Sequence, residues 1–279
     1  MFDKVNKGDH MKSRSIGIVS GKGGVGKTTT VSNLGVVLSY YLGRKTIVAD
    51  ANLLTANLGI HLNLLYPPVT LADCLKGEIP INKIIYPHPS GLNIIPSSIV
   101  MNEILDDTIL RKVMDSIKGQ FDFVIFDSSP GLGKETSSVV KAADELIVIT
   151  TPDLPSVSDT AKAVKIAEDM DVPVLGIIIN RVRGYKYELT QHEIEKICKC
   201  TTIATIPEDK KVPESIAFKN PVVLYSPNSP AARAFKTLAS ELSGRKLGRG
   251  LGNLRSLPRI APPKVGIIRR LWNFLFRKY

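Results

Sequence analysis

Cysteine is scarce in this 279-residue chain, with Cys74, Cys198 and Cys200 the full set. Three thiols without a C-x-x-C spacing build neither a disulfide framework nor a tetrahedral metal site, so Cys198-Lys199-Cys200 reads as packing chemistry near a strand end. Long apolar runs are missing as well. Nothing approaches the roughly 20 apolar residues that a hydrocarbon core requires, and the opening MFDKVNKGDHMKSRS lacks the apolar centre of a secretory signal. The expectation is a cytoplasmic protein. Acid is the third deficit, and it is local. From Leu242 to Tyr279 there is no Asp or Glu, against ten bases: Arg245, Lys246, Arg249, Arg255, Arg259, Lys264, Arg269, Arg270, Arg277 and Lys278. The remainder holds 27 bases against all 26 acids, so the net charge of +11 belongs to a basic arm on a nearly neutral body.

What is present is enough apolar material, 43% of residues, for one large domain. Short β-rich apolar runs near 15–20, 46–51, 92–96, 122–127, 145–150, 174–179, 202–206 and 222–224 read as strands. Helical patterns fall between them at about 27–43, 102–118, 134–143, 157–170, 188–199, 210–219 and 229–243. That alternation predicts an α/β fold: a doubly wound, mostly parallel sheet with helices on both faces. Most of the strand runs lack polar alternation, as buried parallel strands do. Residues 1–13 read as a disordered N-terminal extension, 14–243 as the domain, 244–265 as a basic flexible linker rich in Gly and Pro, and 266–279 as an amphipathic helix.

The segment IGIVS-GKGGVGKTTT-VSNLG satisfies G-x-x-x-x-G-K-T, with a strand before it and an apolar helix after it. Gly21, Gly23, Gly24 and Gly26, with Val25 among them, let the backbone wrap a phosphate chain so that its N–H groups point inward. The helix that starts near Lys27 adds its positive end. Lys27 is expected to neutralise the β and γ phosphates, the Thr28 hydroxyl to bind Mg²⁺, and Thr29 to continue the cradle.

Lys22 sits one residue into this loop. The resulting K-G-G-x-G-K-T-T resembles, without a mismatch, the motif of the MinD and ParA family of deviant Walker A ATPases, and the likeness extends over about residues 14–243. The resemblance implies ATP and Mg²⁺ as cofactors, ATP hydrolysis, and an ATP-dependent homodimer in which Lys22 reaches the partner's phosphates. Without it, Lys22 would be a solvated loop lysine. TIVADANLLTANLGIHL is similar to the family's first switch, with Asp50 placed to hold a water on Mg²⁺. FDFVIFDSSPGL is similar to its Walker B strand and second switch, with Asp127 as the further Mg²⁺ carboxylate and Gly131 free to respond to the γ-phosphate. A strand-end Asp can also simply cap the next turn. Asn180, Pro207 and Glu208 match positions where family members hold the adenine ring, although Asn180 also suits an ordinary turn. One residue departs from the pattern: Asn52 stands where the family's first switch has a second carboxylate that orients the attacking water. An amide cannot take a proton or add negative charge, so hydrolysis should be slow while ATP binding is spared.

At about 100° per residue, Ile267, Ile268, Leu271, Trp272, Phe274, Leu275, Phe276 and Tyr279 fall on one side of a helix. Arg269, Arg270, Asn273 and Arg277 fall on the other, and Lys278 alone intrudes on the apolar side, where its long stem can snorkel. The stretch is too short to span a bilayer and is built to lie in its interface. It resembles the membrane-targeting C-terminus of MinD-type members of the family, though it could also fold back on the domain. The expected function is a membrane-cycling ATPase on the cytoplasmic face that positions division-site, polar or motility machinery through an activator or cargo protein. A DNA-partition ATPase would use the tail bases as phosphate contacts, but the aromatic face would have nowhere to bury. A non-catalytic nucleotide-gated anchor follows if Asn52 abolishes turnover, and an iron-sulfur scaffold would need the absent C-x-x-C.

Overall fold

The structure, a computed structural model, describes residues 13–52, 56–97, 107–131 and 133–247. The amphipathic segment 266–279 and nearly all of the N-terminal extension lie outside the described residues, as do most of the linker and the start of the helix expected at 102–118. Eight strands form one sheet: β1 (Arg14–Val19), β2 (Thr46–Asp50), β3 (Tyr86–Pro87), β4 (Asn93–Ile95), β5 (Phe123–Asp127), β6 (Glu145–Thr150), β7 (Val174–Val182) and β8 (Thr202–Pro207). Their order is β3-β4-β2-β5-β1-β6-β7-β8, and every pair is parallel except β3 with β4. The helices are α1 (Lys27–Val36), α2 (Leu58–His61), α3 (Leu71–Leu75), α4 (Asp107–Lys118), α5 (Lys134–Ala142), α6 (Leu154–Asp169), α7 (Gln191–Cys198), α8 (Lys211–Ala217), α9 (Val222–Tyr225) and α10 (Pro230–Ser243).

The central strands are apolar at successive positions because each face has its own core. Ile16, Ile18, Val48, Ile125 and Ile147 pack with Leu34 of α1, with Leu38 just beyond it, and with Phe235 and Leu238 of α10. Their neighbours Val19, Ile47, Ala49, Val124 and Phe126 pack with Met114, Val139, Val140 and Val164 on the other side. A period of two is therefore present in the packing and invisible in the hydropathy.

Two expectations require correction. The run at 222–224 is the helical turn α9, not a strand. Val223 spends its N–H on Asn33 Oδ1 (3.1 Å) and its carbonyl on the Tyr41 hydroxyl (2.7 Å), so both backbone groups go to side chains of the helix that follows β1, and none remain for a ladder. The long helix expected over 27–43 ends as α1 at Val36 and continues as a π-helical turn, Val37–Tyr41, in which Leu42 N–H donates to Val37 O at 3.1 Å. That wider turn delivers the Tyr41 ring to Lys236, whose ammonium lies 4.3 Å from the ring centroid.

The exit of the chain from α10 is held firmly. Gly244 ends the helix in the left-handed conformation (φ 63°). Arg14 donates to Leu242 O at 2.8 Å and Arg44 to Ser243 O at 3.0 Å, while Arg245 reaches Leu42 O at 3.1 Å. Two guanidinium groups thus meet the last carbonyls of α10, which carry partial negative charge, and the third ties the chain just past the helix to the end of the π-helical turn. This fixes the root of the tail at the amino-terminal edge of the sheet, beside the start of β1.

Candidate functional site

β1 lies between β5 and β6, so the loop that leaves it opens at the point where strand order reverses, the usual crevice for a ligand in such sheets. That loop is the glycine-rich segment 20–26. Its shape depends on two glycines. Gly26 has φ 104°, and a Cβ there would lie 2.3 Å from Asn180 Nδ2; a Cβ on Gly21 would meet the Asp159 carbonyl at 2.3 Å. The loop is thus seated against α6 on one side and the end of β7 on the other. Asn180 fastens it by donating from Nδ2 to Val25 O at 2.7 Å.

Lys27 at the first turn of α1 is buried, and its Nζ donates to Ser20 Oγ at 2.8 Å. Ser20 in turn donates to Lys22 O at 2.7 Å, closing the loop on itself. Burial lowers the Lys27 pKa, against the upward pull of Asp127. Gly23 and Gly24 are exposed, Val25 is buried, and Thr28 and Thr29 are half-buried at the helix start. Lys22 projects outward and lies 3.8 Å from Asp153, the N-cap of α6, with both side chains about half exposed. Such a pair contributes little on its own.

Asp50 and Asp127 are register partners at the ends of β2 and β5, so two buried carboxylates stand side by side. Asp50 accepts from the backbone N–H of Asn52 and of Leu58, each at 3.1 Å, and so organises the segment after β2. Burial and the neighbouring Asp127 hold its pKa well above the carboxylate range. Neither oxygen of Asp127 has a hydrogen-bond partner among the described residues. Burial pushes its pKa up to about 6, with the Thr28 hydroxyl and then Lys27 pulling the other way. A buried carboxylate pair, one member of which makes no well-formed hydrogen bond, is what a divalent cation would complete. Thr28, Asp50 and Asp127 therefore fit a hard oxygen-preferring metal such as Mg²⁺.

Asn52 is also buried, and its Oδ1 accepts from the Ser129 hydroxyl at 3.1 Å, tying the segment after β2 to the one after β5. The second of these is pinned by Thr136, which donates to Ser129 O at 3.2 Å and to Gly131 O at 2.8 Å. Gly131 has φ 89°, a conformation few other residues adopt. Asn180 and Pro207 come together at the adjoining ends of β7 and β8, where Glu208 N–H donates to Val182 O at 2.9 Å and Arg183 lies 3.4 Å from the Glu208 carboxylate.

A family model named ParA, described as NUBPL iron-transfer P-loop NTPase, matches residues 12–243. The chain belongs to the ParA/MinD family of P-loop NTPases. An uncharacterized ATP-binding protein of Methanocaldococcus jannaschii is 38% identical over 234 residues, which is 83% of this chain and 88% of that protein. The cell division ATPase MinD of Pyrococcus furiosus superimposes with a TM-score of 0.79 at 33% identity, covering 83% of this chain and 99% of the other. The septum site-determining protein MinD of Pyrococcus horikoshii, solved with Mg-ADP, gives 0.78 at 33%, covering 82% and 95%. The glycine-rich loop, the segments after β2 and β5 and the Asn180 edge all fall inside this matched region.

Sequence reasoning missed four members of this ParA/MinD site. Ser20 holds Lys27, Ser129 holds Asn52, Asp153 faces Lys22, and the Asp159 backbone packs on Gly21. Only Asp153 carried a local signal, an Asp followed by Leu-Pro-Ser at a helix start, and that signal announces a cap rather than a neighbour of the loop.

Proposed function

We propose that this chain is an ATP-dependent dimerising ATPase that cycles on and off the cytoplasmic face of the cell membrane and positions division-site or comparable machinery. ATP occupies the loop Gly21–Thr29 with Mg²⁺ at Thr28, Asp50 and Asp127, and Asn180, Pro207 and Glu208 line the base edge. Held by Thr28, Asp50 and Asp127, Mg²⁺ would supply the positive charge that offsets negative charge on the phosphates. The chain's own contribution is positioning. Lys27 sits ready for the phosphates, and Asn52 with Ser129 holds the two switch segments together.

The observation that carries dimerisation is the distribution of exposed apolar surface. Of the seven large apolar side chains left exposed among the described residues, Leu154, Tyr185 and Tyr187 come within a few residues of the carboxyl ends of β6 and β7, the loop's edge of the sheet, and Ile60, Leu65 and Tyr66 belong to α2 and the segment after it, which follows β2. Surface of that kind beside a phosphate loop favours a second protomer over solvent. Pairing also makes the tail's second lipid contact intramolecular, so that a helix too weak to hold one copy holds two. Its aromatic face leaves water, and each base near an anionic leaflet adds about 1 kcal/mol. The three cysteines lack the paired spacing that iron transfer would use, which directs the reading away from the family model's iron-transfer description.

Co-sedimentation with phosphatidylglycerol-containing vesicles tests the reading. The full chain is expected to pellet with Mg-ATP and to stay largely in solution with Mg-ADP, and a chain ending at Ser243 to stay in solution with both. Trp272 is the single tryptophan, so its emission should shift to the blue only in the pelleting state. Equal pelleting by both chains would remove the membrane assignment, and pelleting with DNA instead of lipid would favour the partition reading.

Slow turnover is part of the same proposal. Asn52→Asp is expected to raise the ATPase rate several-fold while nucleotide affinity stays the same, because a carboxylate can orient and polarise the water. The Ser129 hydroxyl can donate to the new oxygen as it does to the old one. An unchanged rate in a steady-state phosphate-release assay would assign water positioning to another group.

A further inference from the structure

We propose that the amino-terminal edge of the sheet carries a docking cavity for the chain's own C-terminal segment, 266–279, in the free protein. A cavity of about 530 Å³ opens between the end of α6, the start of β7 and the end of α7. Its floor is apolar, made by Val164, Val172 and Val174, and Glu168 and Asp171 stand on its rim. Glu168 shares Lys165 with Asp169, while Asp171 is in no ion pair among the described residues. Two helices also end here, at Asp169 and Cys198, and their carboxyl ends add partial negative charge. Lys199 is the one cation among the lining residues, so the balance is acidic.

The segment 266–279 is complementary in both respects. It offers Trp272, Phe274 and Phe276 to an apolar floor and Arg269, Arg270 and Arg277 to an acidic rim. It also starts from the same edge. The root of the tail is clamped by Arg14 at the start of β1, and β7 is the second strand over, about 10 Å along the sheet, with the cavity toward the face opposite α10, so the tail also has to round the sheet's amino-terminal edge. Residues 248–265 intervene, a stretch of 18 whose coil dimension is about 20–25 Å, so the cavity is within easy reach. The loops that hold the nucleotide are at the opposite edge. A seated tail therefore leaves the phosphate site open while keeping the aromatic face from lipid and from other chains. This deepens the membrane reading by giving the same segment a resting place, and its test contains no lipid, so that either idea can fail alone.

Cys200 lines the cavity and is half-buried, whereas Cys74 and Cys198 are buried, which supplies a native cross-linking handle. Trp272→Cys, Phe274→Cys and Phe276→Cys would each be oxidised with copper phenanthroline in the nucleotide-free, lipid-free full chain, and disulfides mapped by peptide mass. At least one variant is expected to link to Cys200, with yield falling several-fold when Asp171→Arg is added and the fold shown intact by circular dichroism. No link to Cys200 in any of the three, or a yield indifferent to Asp171→Arg, overturns the proposal. A link that forms in a chain whose vesicle binding does not depend on the tail would keep this inference and remove the membrane one.

Discussion

Replacing Asp127 with Asn is expected to cost about a hundredfold or more in ATP turnover and, in the same variant, to raise the melting temperature of the nucleotide-free protein. The rate falls because the amide carries no charge to place beside a divalent metal, and an electrostatic contact at the reacting phosphates is worth about that factor. Stability rises because Asp127 is a buried carboxylate whose oxygens make no well-formed hydrogen bond among the described residues, and the Thr28 hydroxyl and Lys27 offset its burial only in part. Its folded pKa of about 6 lies above the ordinary value for Asp. The folded state therefore holds the proton to higher pH than the unfolded chain does. Stability is lost as pH rises from about 4 through 6 and is not regained above. The neighbouring Asp50, raised by burial and by Asp127 itself, adds to the cost. Thermal scans of the two proteins should diverge most at pH 7 and converge near pH 4, and Mg-ATP should stabilise only the parent. A variant no more stable than the parent at pH 7 would mean that Asp127 is satisfied in the free protein.

Lys27→Ala is expected to have an effect of the same order on turnover, about a hundredfold to a thousandfold, with little change in the melting temperature without nucleotide. The ammonium is buried against a single serine hydroxyl and its pKa is lowered by that burial, so the free protein gains little from its charge. Its full value appears when phosphate oxygens arrive. Titration with a fluorescent nucleotide should show weaker binding together with the lost rate. Retained tight binding would move the main phosphate contact to the loop amides. A large drop in melting temperature would instead mark Lys27 as part of the resting fold, through Ser20 and the carbonyl of Lys22.

Much of this site was legible from local chemistry. The loop glycines, Lys27 and Thr28 form one short motif, and Asp50 and Asp127 each end an apolar run. The sequence-only reading failed where a choice depended on distant partners. Val222-Val223-Leu224 has the composition of a strand, and it is a helical turn because Asn33 and Tyr41 take the backbone groups that a ladder would need. The tie between Asn180 and the loop was equally out of sight: its amide donates to Val25 O across 155 positions of sequence, a separation no local pattern records.

By itself the sequence determined the fold class, the phosphate loop and the segregation of charge into the tail, because each follows from spacing and composition within a few neighbouring residues. Only the tertiary structure decided that Asp50 and Asp127 stand side by side, that Asn52 is tied to Ser129, and that the tail begins at the edge opposite the nucleotide loops. Strand order sets those relations, since pairing β2 with β5 and β5 with β1 brings together residues that are tens of positions apart along the chain.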